Sequence, residues 1–189
     1  MLEQREACKV LKKHFENKEV IGAEIGVCYG NHAESLLHNI PNLHLHLIDD
    51  FRELDSVEAG RSKLELEKTD GDIVIKINVD NRVPIDLPKE KITWHKMLSV
   101  EAAKEIEDNS LDFAYIDADH EYKSVLEDLE AWYPKVKVGG VICGHDYATE
   151  VKNAITIFFK GLEKVICSSQ NADDSFMDYT SISDWWVFK

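Results

Sequence analysis

The sequence predicts an α/β fold, in which a parallel sheet has helices packed on both of its faces. Short apolar runs typical of buried strands alternate with amphipathic helical stripes at least five times along the chain. This alternation is typical of parallel sheets, because consecutive parallel strands must be joined by a crossover. The length of 189 residues favours one domain covering 1–189, and a hydrophobic fraction of 44% is that of a globular protein with its own core.

The first elements follow from residue spacing. Residues 2–16 carry apolar side chains at helical intervals and are expected to form an amphipathic helix. Residues 20–27 form a short apolar run that is typical of a buried strand. Asn31 is then expected to cap the next helix, with Glu34 at the third helical position completing a capping box.

A second strand is predicted over 43–48, where the sequence L-H-L-H-L-I alternates. The alternation puts His44 and His46 on one face of this strand, and two histidines at that spacing could hold a metal ion. We favour the simpler interpretation, in which this face is solvated or covered by a helix.

Residues 51–90 give the weakest pattern in the chain. The segment from Glu53 to Lys68 is highly charged and favours a helix, whereas residues 72–79 alternate like a strand. We interpret 69–90 as an insertion into the regular alternation of strands and helices.

Regular alternation resumes after residue 90. Ser99 is expected to cap a helix over 100–108, and Gly139-Gly140 is expected to turn the chain into a strand. The pair Trp185-Trp186 is expected to lie in the core, with a homodimer contact as the alternative. Strands are predicted over 91–96, 111–116, 141–144, 163–168 and 184–189, and helical stripes run from Tyr122 to Tyr133 and from Val151 to Phe159.

The net charge of the protein restricts the classes of molecule that it is expected to bind. Acidic residues outnumber basic ones by 36 to 22, which gives a formal net charge of −14. Because this field repels phosphate backbones and anionic lipids, we expect a small-molecule substrate rather than a nucleic acid or a membrane. No apolar run approaches the roughly 18 residues that cross a bilayer, and the charged first residues do not resemble a signal peptide. The 4 cysteines form no C-x-x-C pair, which favours reduced thiols in the cytoplasm.

Acidic or imidazole side chains follow every readable strand of the predicted sheet. They are Glu24-x-Gly26 after the first strand, Asp49-Asp50 after the second, Asp117-x-Asp119-His120 after the strand at 111–116, and His145-Asp146 after the strand at 141–144. In parallel sheets, ligands bind beyond the carboxyl ends of the strands. Turn formation alone explains an acid at any single strand end, but the repetition at every end favours a binding site.

The loop after the first predicted strand restricts which cofactors can bind at the strand ends. Gly26 and Gly30, in E-I-G-V-C-Y-G-N-H, allow a tight turn and a close approach to a ligand. The loop is not the G-x-G-x-x-G dinucleotide pattern, because Cys28 and Ala33 stand at two of the glycine positions. Asp49 lies 23 residues beyond Gly26, where an acid accepts hydrogen bonds from ribose hydroxyls. These features favour a nucleoside-bearing cofactor without a buried pyrophosphate, and disfavour NAD.

Four segments carry a resemblance to a known family: A-E-I-G-V-x-x-G-N, L-I-D-D-F, the long D-F-A-Y-I-D-A-D-H-E-Y-x-x-V-L-x-D-L-x-x-W, and V-G-G-V-I-C-G-H-D-Y. Over about 18–50 and 92–148 the sequence resembles the class I S-adenosylmethionine-dependent methyltransferases. Within these it is most similar to methyltransferase family 24, which is allied to macrocin O-methyltransferase and to cephalosporin-biosynthesis methyltransferase-like proteins. The resemblance implies a Rossmann-like three-layer sandwich with a mostly parallel seven-stranded sheet and an antiparallel last strand. Ala118 departs from the glycine usual at its position, and 69–90 matches nothing in the family.

The resemblance also implies roles for individual residues. Asp49 would hold the ribose of S-adenosylmethionine, and the stretch from Met97 to Ser99 would flank the adenine. The implied cofactor-binding residues are Glu24, Gly26, Val27, Gly30, Asn31, Asp49, Ser99 and Asp117. In metal-using relatives the positions of Asp117, His145 and Asp146 bind a divalent cation. Two carboxylates with one imidazole suit Mg²⁺ less well than an all-oxygen site would, and they tolerate Mn²⁺ or a similar ion. The alternative for His145 and Asp146 is turn formation after a buried strand.

We therefore expect a methyltransferase that acts on the oxygen of a small hydroxylated metabolite or sugar. His120, beside Asp117, is the candidate general base, and a metal ion would lower the pKa of the acceptor hydroxyl. The alternative for His120 is packing beneath the start of a helix, and the favoured interpretation of Asp119 is a helix cap. Two other functions remain open: a nicotinamide-dependent oxidoreductase on a similar sheet, and an adenosylmethionine-binding module without catalysis.

Overall fold

The computed structural model describes residues 5–28, 30–50, 63–69, 72–78, 87–160, 165–167 and 183–189. The helices within these residues are α1 (Glu6–His14), α2 (Asn31–Asn39), α3 (Ser99–Glu105), α4 (Tyr122–Trp132) and α5 (Thr149–Phe158). The strands are β1 (Val20–Ile25), β2 (Leu43–Ile48), β3 (Lys63–Thr69), β4 (Asp72–Asn78), β5 (Ile92–His95), β6 (Leu111–Ile116), β7 (Val136–Gly144), β8 (Ile166–Cys167) and β9 (Trp185–Phe188). Among the described helices, none combines the length and the apolar character that crossing a bilayer requires.

Seven strands form one sheet in the order β5-β2-β1-β6-β7-β9-β8. The pairs among β5, β2, β1, β6 and β7 are parallel, whereas β9 runs antiparallel to both β7 and β8. The predicted fold class is thus confirmed, because the last strand of the chain is the one that runs in the opposite direction. The strand order reverses beside β1, because β2 and β5 follow on one side of it and β6 and β7 on the other. The site predicted at the strand ends lies at this switch point, between the carboxyl ends of β1 and β6.

Two hydrophobic clusters show the three layers. One joins α3, α4 and α5 to the sheet through residues such as Ala102, Leu129 and Ile155. The other joins α1 and α2 to the opposite face and includes Leu11 and Leu36. The core prediction for the tryptophan pair holds for Trp185, which is fully buried, while Trp186 is partly buried.

The segment around residues 51–90 departs from the predicted helix. β3 and β4 pair as an antiparallel hairpin in a separate two-stranded sheet. The helix predicted from Glu53 to Lys68 is therefore wrong over 63–68, where L-E-L-E alternates as a strand does, and its first part lies outside the described residues. The strand predicted over 72–79 is confirmed as β4.

Two predicted helix caps are also wrong. Gly30, with a φ of +73°, takes the cap position of α2, and Asn31 is the first helical residue without a capping bond from its side chain. Leu98 takes the cap position of α3, and the Ser99 hydroxyl donates its hydrogen bond to Asp128 on α4. At α2 a left-handed glycine replaces the predicted cap. At α3 the hydroxyl that was predicted to cap the helix makes a tertiary hydrogen bond instead.

The glycine pair Gly139-Gly140 lies inside β7 rather than in a turn before it. The strand already begins at Val136, and its register with β6 shifts between Leu111 and Phe113. A Cβ atom at Gly140 would lie 2.6 Å from the carbonyl oxygen of Asp112, so glycine permits the close approach of β6 at this irregularity.

Candidate active site

The carboxyl ends of β1, β2, β5 and β6 surround a cavity of about 550 Å³. Four of the predicted cofactor-binding residues line it, namely Gly26, Asp49, Ser99 and Asp117. Met97 lines it as well, and the contact of this stretch with the adenine stays a prediction. The structure thus brings together residues from four strand ends in a cavity of the size that small-molecule ligands occupy.

Gly26 and Asp49 build the loop at the end of β1. A Cβ atom at Gly26 would lie 2.2 Å from the carbonyl oxygen of Asp117, and the φ of this residue is +87°. Both facts require glycine at this position. The Asp49 carboxylate accepts hydrogen bonds from the backbone N–H groups of Val27, at 2.9 Å, and Cys28, at 2.8 Å. Asp49 therefore fixes the loop in place, and its bond to the ribose stays a prediction.

Glu24 lies beneath the loop rather than in the cavity wall. Its carboxylate is buried at 1% exposure and lies 3.1 Å from Nδ1 of His32 on α2. Burial raises the pKa of Glu24 above its ordinary value. This pair connects β1 to the start of α2. Glu24 therefore supports the loop between them by holding the helix in position. The cofactor-binding roles predicted for Glu24, Val27, Gly30 and Asn31 stay predictions.

Ser99 and Asp128 form a buried polar group at the other end of the cavity. The Ser99 hydroxyl donates to the Asp128 carboxylate and accepts a hydrogen bond of 2.8 Å from the indole N–H of Trp132. Burial raises the pKa of Asp128 to about 6. The sequence pattern missed Asp128, although an acid between Val125 and Leu129 in the apolar stripe of α4 is a detectable signal.

A second group of side chains lies where β6 and β7 end. Asp117, His120 and Asp146 each offer one ligand atom, and these atoms lie within 4.8 Å of one another. His120 Nε2 is 2.9 Å from Asp146 Oδ2 and 3.6 Å from Asp117 Oδ1. Two of the three predicted metal ligands, Asp117 and Asp146, thus belong to this cluster, which we call the catalytic cluster.

His145, the third predicted ligand, lies beside this cluster. Its Nδ1 is 3.3 Å from Asp146 Oδ2 and 3.8 Å from Asp117 Oδ1. Its Nε2 is 3.9 Å from Asp184 Oδ1, on the segment that precedes β9. The structure thus places both His120 and His145 beside the two carboxylates, and the role of His145 as a metal ligand stays a prediction.

The charges of the cluster depend on one another. The carboxylates of Asp117 and Asp146 raise the pKa of His120 to about 10. His120 and His145 in turn lower the pKa of Asp146 well below its ordinary value. Burial favours the neutral form of Asp117, but His120 and Arg5 outweigh it and lower the pKa of Asp117. At neutral pH His120 is therefore an imidazolium, and it can accept a proton only after losing its own.

Arg5, Tyr115 and Asp184 complete the cluster and were missed by the sequence pattern. The Arg5 guanidinium donates to Asp117 Oδ2 at 2.6 Å and to the Tyr115 hydroxyl at 2.8 Å. Tyr115 donates to Asp184 Oδ1 at 3.1 Å, and Asp184 Oδ2 accepts the backbone N–H of Ala7 in α1. These residues lie far apart in the chain, so no local spacing predicts their contact.

Asp119 is not the helix cap that the sequence predicts, because Glu121 takes the cap position of α4 without a capping bond from its side chain. The Asp119 carboxylate accepts the backbone N–H of Glu121 at 3.0 Å and the hydroxyl of Ser124 at 2.9 Å. These bonds fix the start of α4 and hold the turn that carries His120.

A family model described as a methyltransferase domain, the model of methyltransferase family 24, matches residues 23–147. This match covers more than half of the 189 residues. The chain belongs to this methyltransferase family. The methyltransferase is an enzyme that depends on S-adenosylmethionine, as the sequence resemblance implied, and its matched region contains both the cavity and the catalytic cluster. No curated protein sequence matches it.

Solved structures share the fold of the methyltransferase over most of its length. An rRNA methylase from Streptococcus thermophilus has a TM-score of 0.61 at 12% identity, with 100% of this chain and 98% of that chain covered. A precorrin-6y C5,15-methyltransferase from Geobacter metallireducens has a TM-score of 0.57 at 12% identity, with coverages of 97% and 87%. A precorrin 8w decarboxylase from Methanobacterium thermoautotrophicum has a TM-score of 0.54 at 16% identity, with coverages of 86% and 74%. At these identities the likeness shows the fold alone.

Proposed function

We propose that this methyltransferase transfers the methyl group of S-adenosylmethionine to a hydroxyl oxygen of a small hydroxylated metabolite or sugar. The observation that carries the proposal is the position of Asp117. This residue lines the cofactor cavity and also belongs to the catalytic cluster with His120 and Asp146. A hydroxyl bound at the cluster would therefore lie next to the cofactor, which is the arrangement that methyl transfer requires.

The charge of the cavity supports S-adenosylmethionine over a nicotinamide dinucleotide. Its walls include six acidic side chains, those of Asp49, Asp50, Asp117, Asp119, Glu127 and Asp128. A sulfonium cation with an amino group is attracted by such walls, whereas the two negative charges of a pyrophosphate are repelled. This disfavours the oxidoreductase alternative. The net charge of −14 likewise favours a small-molecule acceptor over a nucleic acid or a membrane.

The catalytic cluster also fits a divalent cation. Asp117, His120 and Asp146 supply two carboxylates and one imidazole, a donor set that suits Mn²⁺ better than Mg²⁺. A bound cation would lower the pKa of the acceptor hydroxyl and fix its position. The imidazolium of His120 must lose its proton before it can bind a metal, so we expect the metal affinity to rise with pH between 7 and 9.

The other residues of the cluster support this chemistry by position. Arg5 holds Asp117 through Oδ2, so that Oδ1 faces the two imidazoles of His120 and His145. A His120 nitrogen that binds the cation cannot also accept the proton of the acceptor hydroxyl, so His120 would serve as general base only where the cation is held without it. Its role as a base is thus coupled to metal occupancy.

The test combines binding and transfer on the same preparation. Calorimetry should show binding of S-adenosylmethionine and of its demethylated product, but not of NAD. Transfer of a labelled methyl group to a panel of small hydroxylated acceptors should stop in excess chelator, while cofactor binding persists, and Mn²⁺ should restore it.

Matched variants separate the cluster from its surroundings. Asp146→Asn should abolish transfer, whereas Asp108→Asn, at an exposed carboxylate that pairs with Lys135 and does not line the cavity, should leave transfer unchanged. Full activity in excess chelator would refute metal assistance. Binding of NAD in place of S-adenosylmethionine, or transfer to nitrogen acceptors alone, would refute the proposed reaction.

A further inference from the structure

We propose that Asp128 selects the base of the cofactor, by accepting a hydrogen bond from the 6-amino group of adenine. This proposal rests on the proposed cofactor site and goes beyond it, because the family resemblance assigns Asp128 no role. Asp128 lies on α4, lines the cofactor cavity and is only 5% exposed. A carboxylate that is buried to this extent needs hydrogen-bond donors, and a ligand in the cavity can supply one.

The order of the strands puts Asp128 at the end of the cavity where the base would lie. The sulfonium must lie beside Asp117, after β6, for its methyl group to reach an acceptor at the catalytic cluster. The ribose is predicted at Asp49, after β2, and β5 is the next strand beyond β2. The base would therefore extend towards the end of β5, where Ser99 begins α3 and bonds Asp128.

Two consecutive hydrogen bonds determine which oxygen of Asp128 can bind a ligand. The Ser99 hydroxyl accepts the indole N–H of Trp132 at 2.8 Å and donates its single hydrogen to Oδ1 of Asp128. Among the residues that the structure describes, no donor bonds the other oxygen, Oδ2. Because Asp128 lines the cavity, Oδ2 is the acceptor that this side chain offers to a ligand.

The charge of Asp128 determines which bases it accepts. Burial raises the pKa of Asp128 to about 6, so at pH 8 the carboxylate is ionised and has no hydrogen to donate. The 6-amino group of adenine is a donor and would satisfy Oδ2. The carbonyl oxygen at position 6 of hypoxanthine is an acceptor and would be repelled by it. Asp128 therefore favours an adenine nucleoside over a 6-oxopurine nucleoside.

The experiment compares S-adenosylhomocysteine with S-inosylhomocysteine, in which a carbonyl oxygen replaces the 6-amino group. Calorimetry at pH 8 in chelator should show that the wild type binds S-adenosylhomocysteine about 10–100-fold more tightly, as expected for a hydrogen bond to a charged group. Asp128→Asn should reverse this preference. The amide oxygen of the new side chain would accept the Ser99 hydroxyl, so its NH₂ group would face the base as a donor.

A matched control separates the hydrogen bond from the general effect of charge. Glu127 is the neighbouring acid on α4, and it also lines the cavity. Glu127→Gln removes one negative charge from the same wall and leaves the bond between Ser99 and Asp128 intact. It should change the affinity for both ligands alike, so their ratio should stay that of the wild type.

The outcomes distinguish this proposal from the proposed function. If the wild type does not bind S-adenosylhomocysteine, the proposed cofactor site is refuted, and the role of Asp128 with it. If it binds both ligands equally, or if Asp128→Asn keeps the wild-type preference, the role of Asp128 alone is overturned. If Asp128→Asn does not fold, as judged by its melting curve, the wild type is measured with the analogue whose purine lacks the 6-amino group. This analogue should bind about 10–100-fold more weakly than S-adenosylhomocysteine, and equal affinity would overturn the proposal.

Discussion

His120 allows a sharp test of the electrostatics of the catalytic cluster, through the pH dependence of stability. The change is His120→Gln, which keeps a polar side chain of similar reach but cannot carry a charge. In the folded protein the carboxylates of Asp117 and Asp146 raise the pKa of His120 from 6.5 to about 10. The wild type should therefore gain stability from the imidazolium that the variant lacks.

The size of this gain follows from the shift and from the exposure of the ring. The full shift would correspond to roughly 5 kcal/mol, but the side chain is 51% exposed, and screening by water reduces the gain to about 1–2 kcal/mol. Because the folded pKa lies above the unfolded pKa, the gain is fully present below pH 6.5. It is lost as the pH rises from 6.5 towards 10.

The assay is urea unfolding followed by tryptophan fluorescence, in chelator, at pH 6, 7, 8, 9 and 10. The difference in unfolding free energy between the wild type and His120→Gln should be largest at pH 6 and should shrink steadily up to pH 10. His38→Gln, at an exposed position on α2, serves as the control for general histidine titration. A difference that stays constant between pH 7 and pH 10 would refute the assigned ion pairs.

Four further changes test the loop and its neighbours. Asp49→Ala should weaken binding of S-adenosylmethionine by about 1.5–3 kcal/mol in calorimetry, and undiminished binding would contradict the ribose assignment. Gly26→Ala should lower the unfolding free energy by about 3 kcal/mol or more, because the added Cβ atom would lie 2.2 Å from a backbone carbonyl oxygen. Gly30→Ala should cost only about 1 kcal/mol, because no atom lies within 4 Å of its added Cβ and only the positive φ is unfavourable. Arg5→Gln should cost about 1.5–3 kcal/mol of stability and raise the pKa of Asp117, which NMR titration would detect, and an unchanged pKa would refute the contact.

The strands around the site could be predicted because each carries a strong local pattern. β1 and β6 are mostly apolar runs and β2 alternates between leucine and histidine, and the ends of the three strands are marked by Gly26, Asp49 and Asp117. In a parallel sheet these ends must meet at one edge, so the position of the cavity follows from the order of the elements. Local pattern and global fold agree there, and the prediction is confirmed.

The caps and the charged segment were mispredicted because local preference competes with tertiary contacts. Ser99 is a good capping residue in isolation, but its hydroxyl gains more by bonding the buried carboxylate of Asp128, which would otherwise lack this donor. Gly30 adopts a left-handed conformation that starts α2 without help from the Asn31 side chain. Charge density alone suggested a helix up to Lys68, yet the alternation in β3 prevails once β4 supplies a partner strand.

The residues that complete the catalytic cluster come from both ends of the described chain, and this explains why no motif contains them. Arg5 contacts Tyr115 across 110 positions, and Tyr115 contacts Asp184 across 69 positions. Asp184 reaches Tyr115 because β9 inserts antiparallel beside β7, and it also accepts an N–H at the start of α1, where a negative charge is favourable. Arg5, at the start of α1, lowers the pKa of Asp117 together with His120, so a contact from the beginning of the described chain contributes to the charge of the cluster. The D-A-D-H motif thus supplies Asp117 and His120, whereas Arg5 and Asp184 join them only through the tertiary fold.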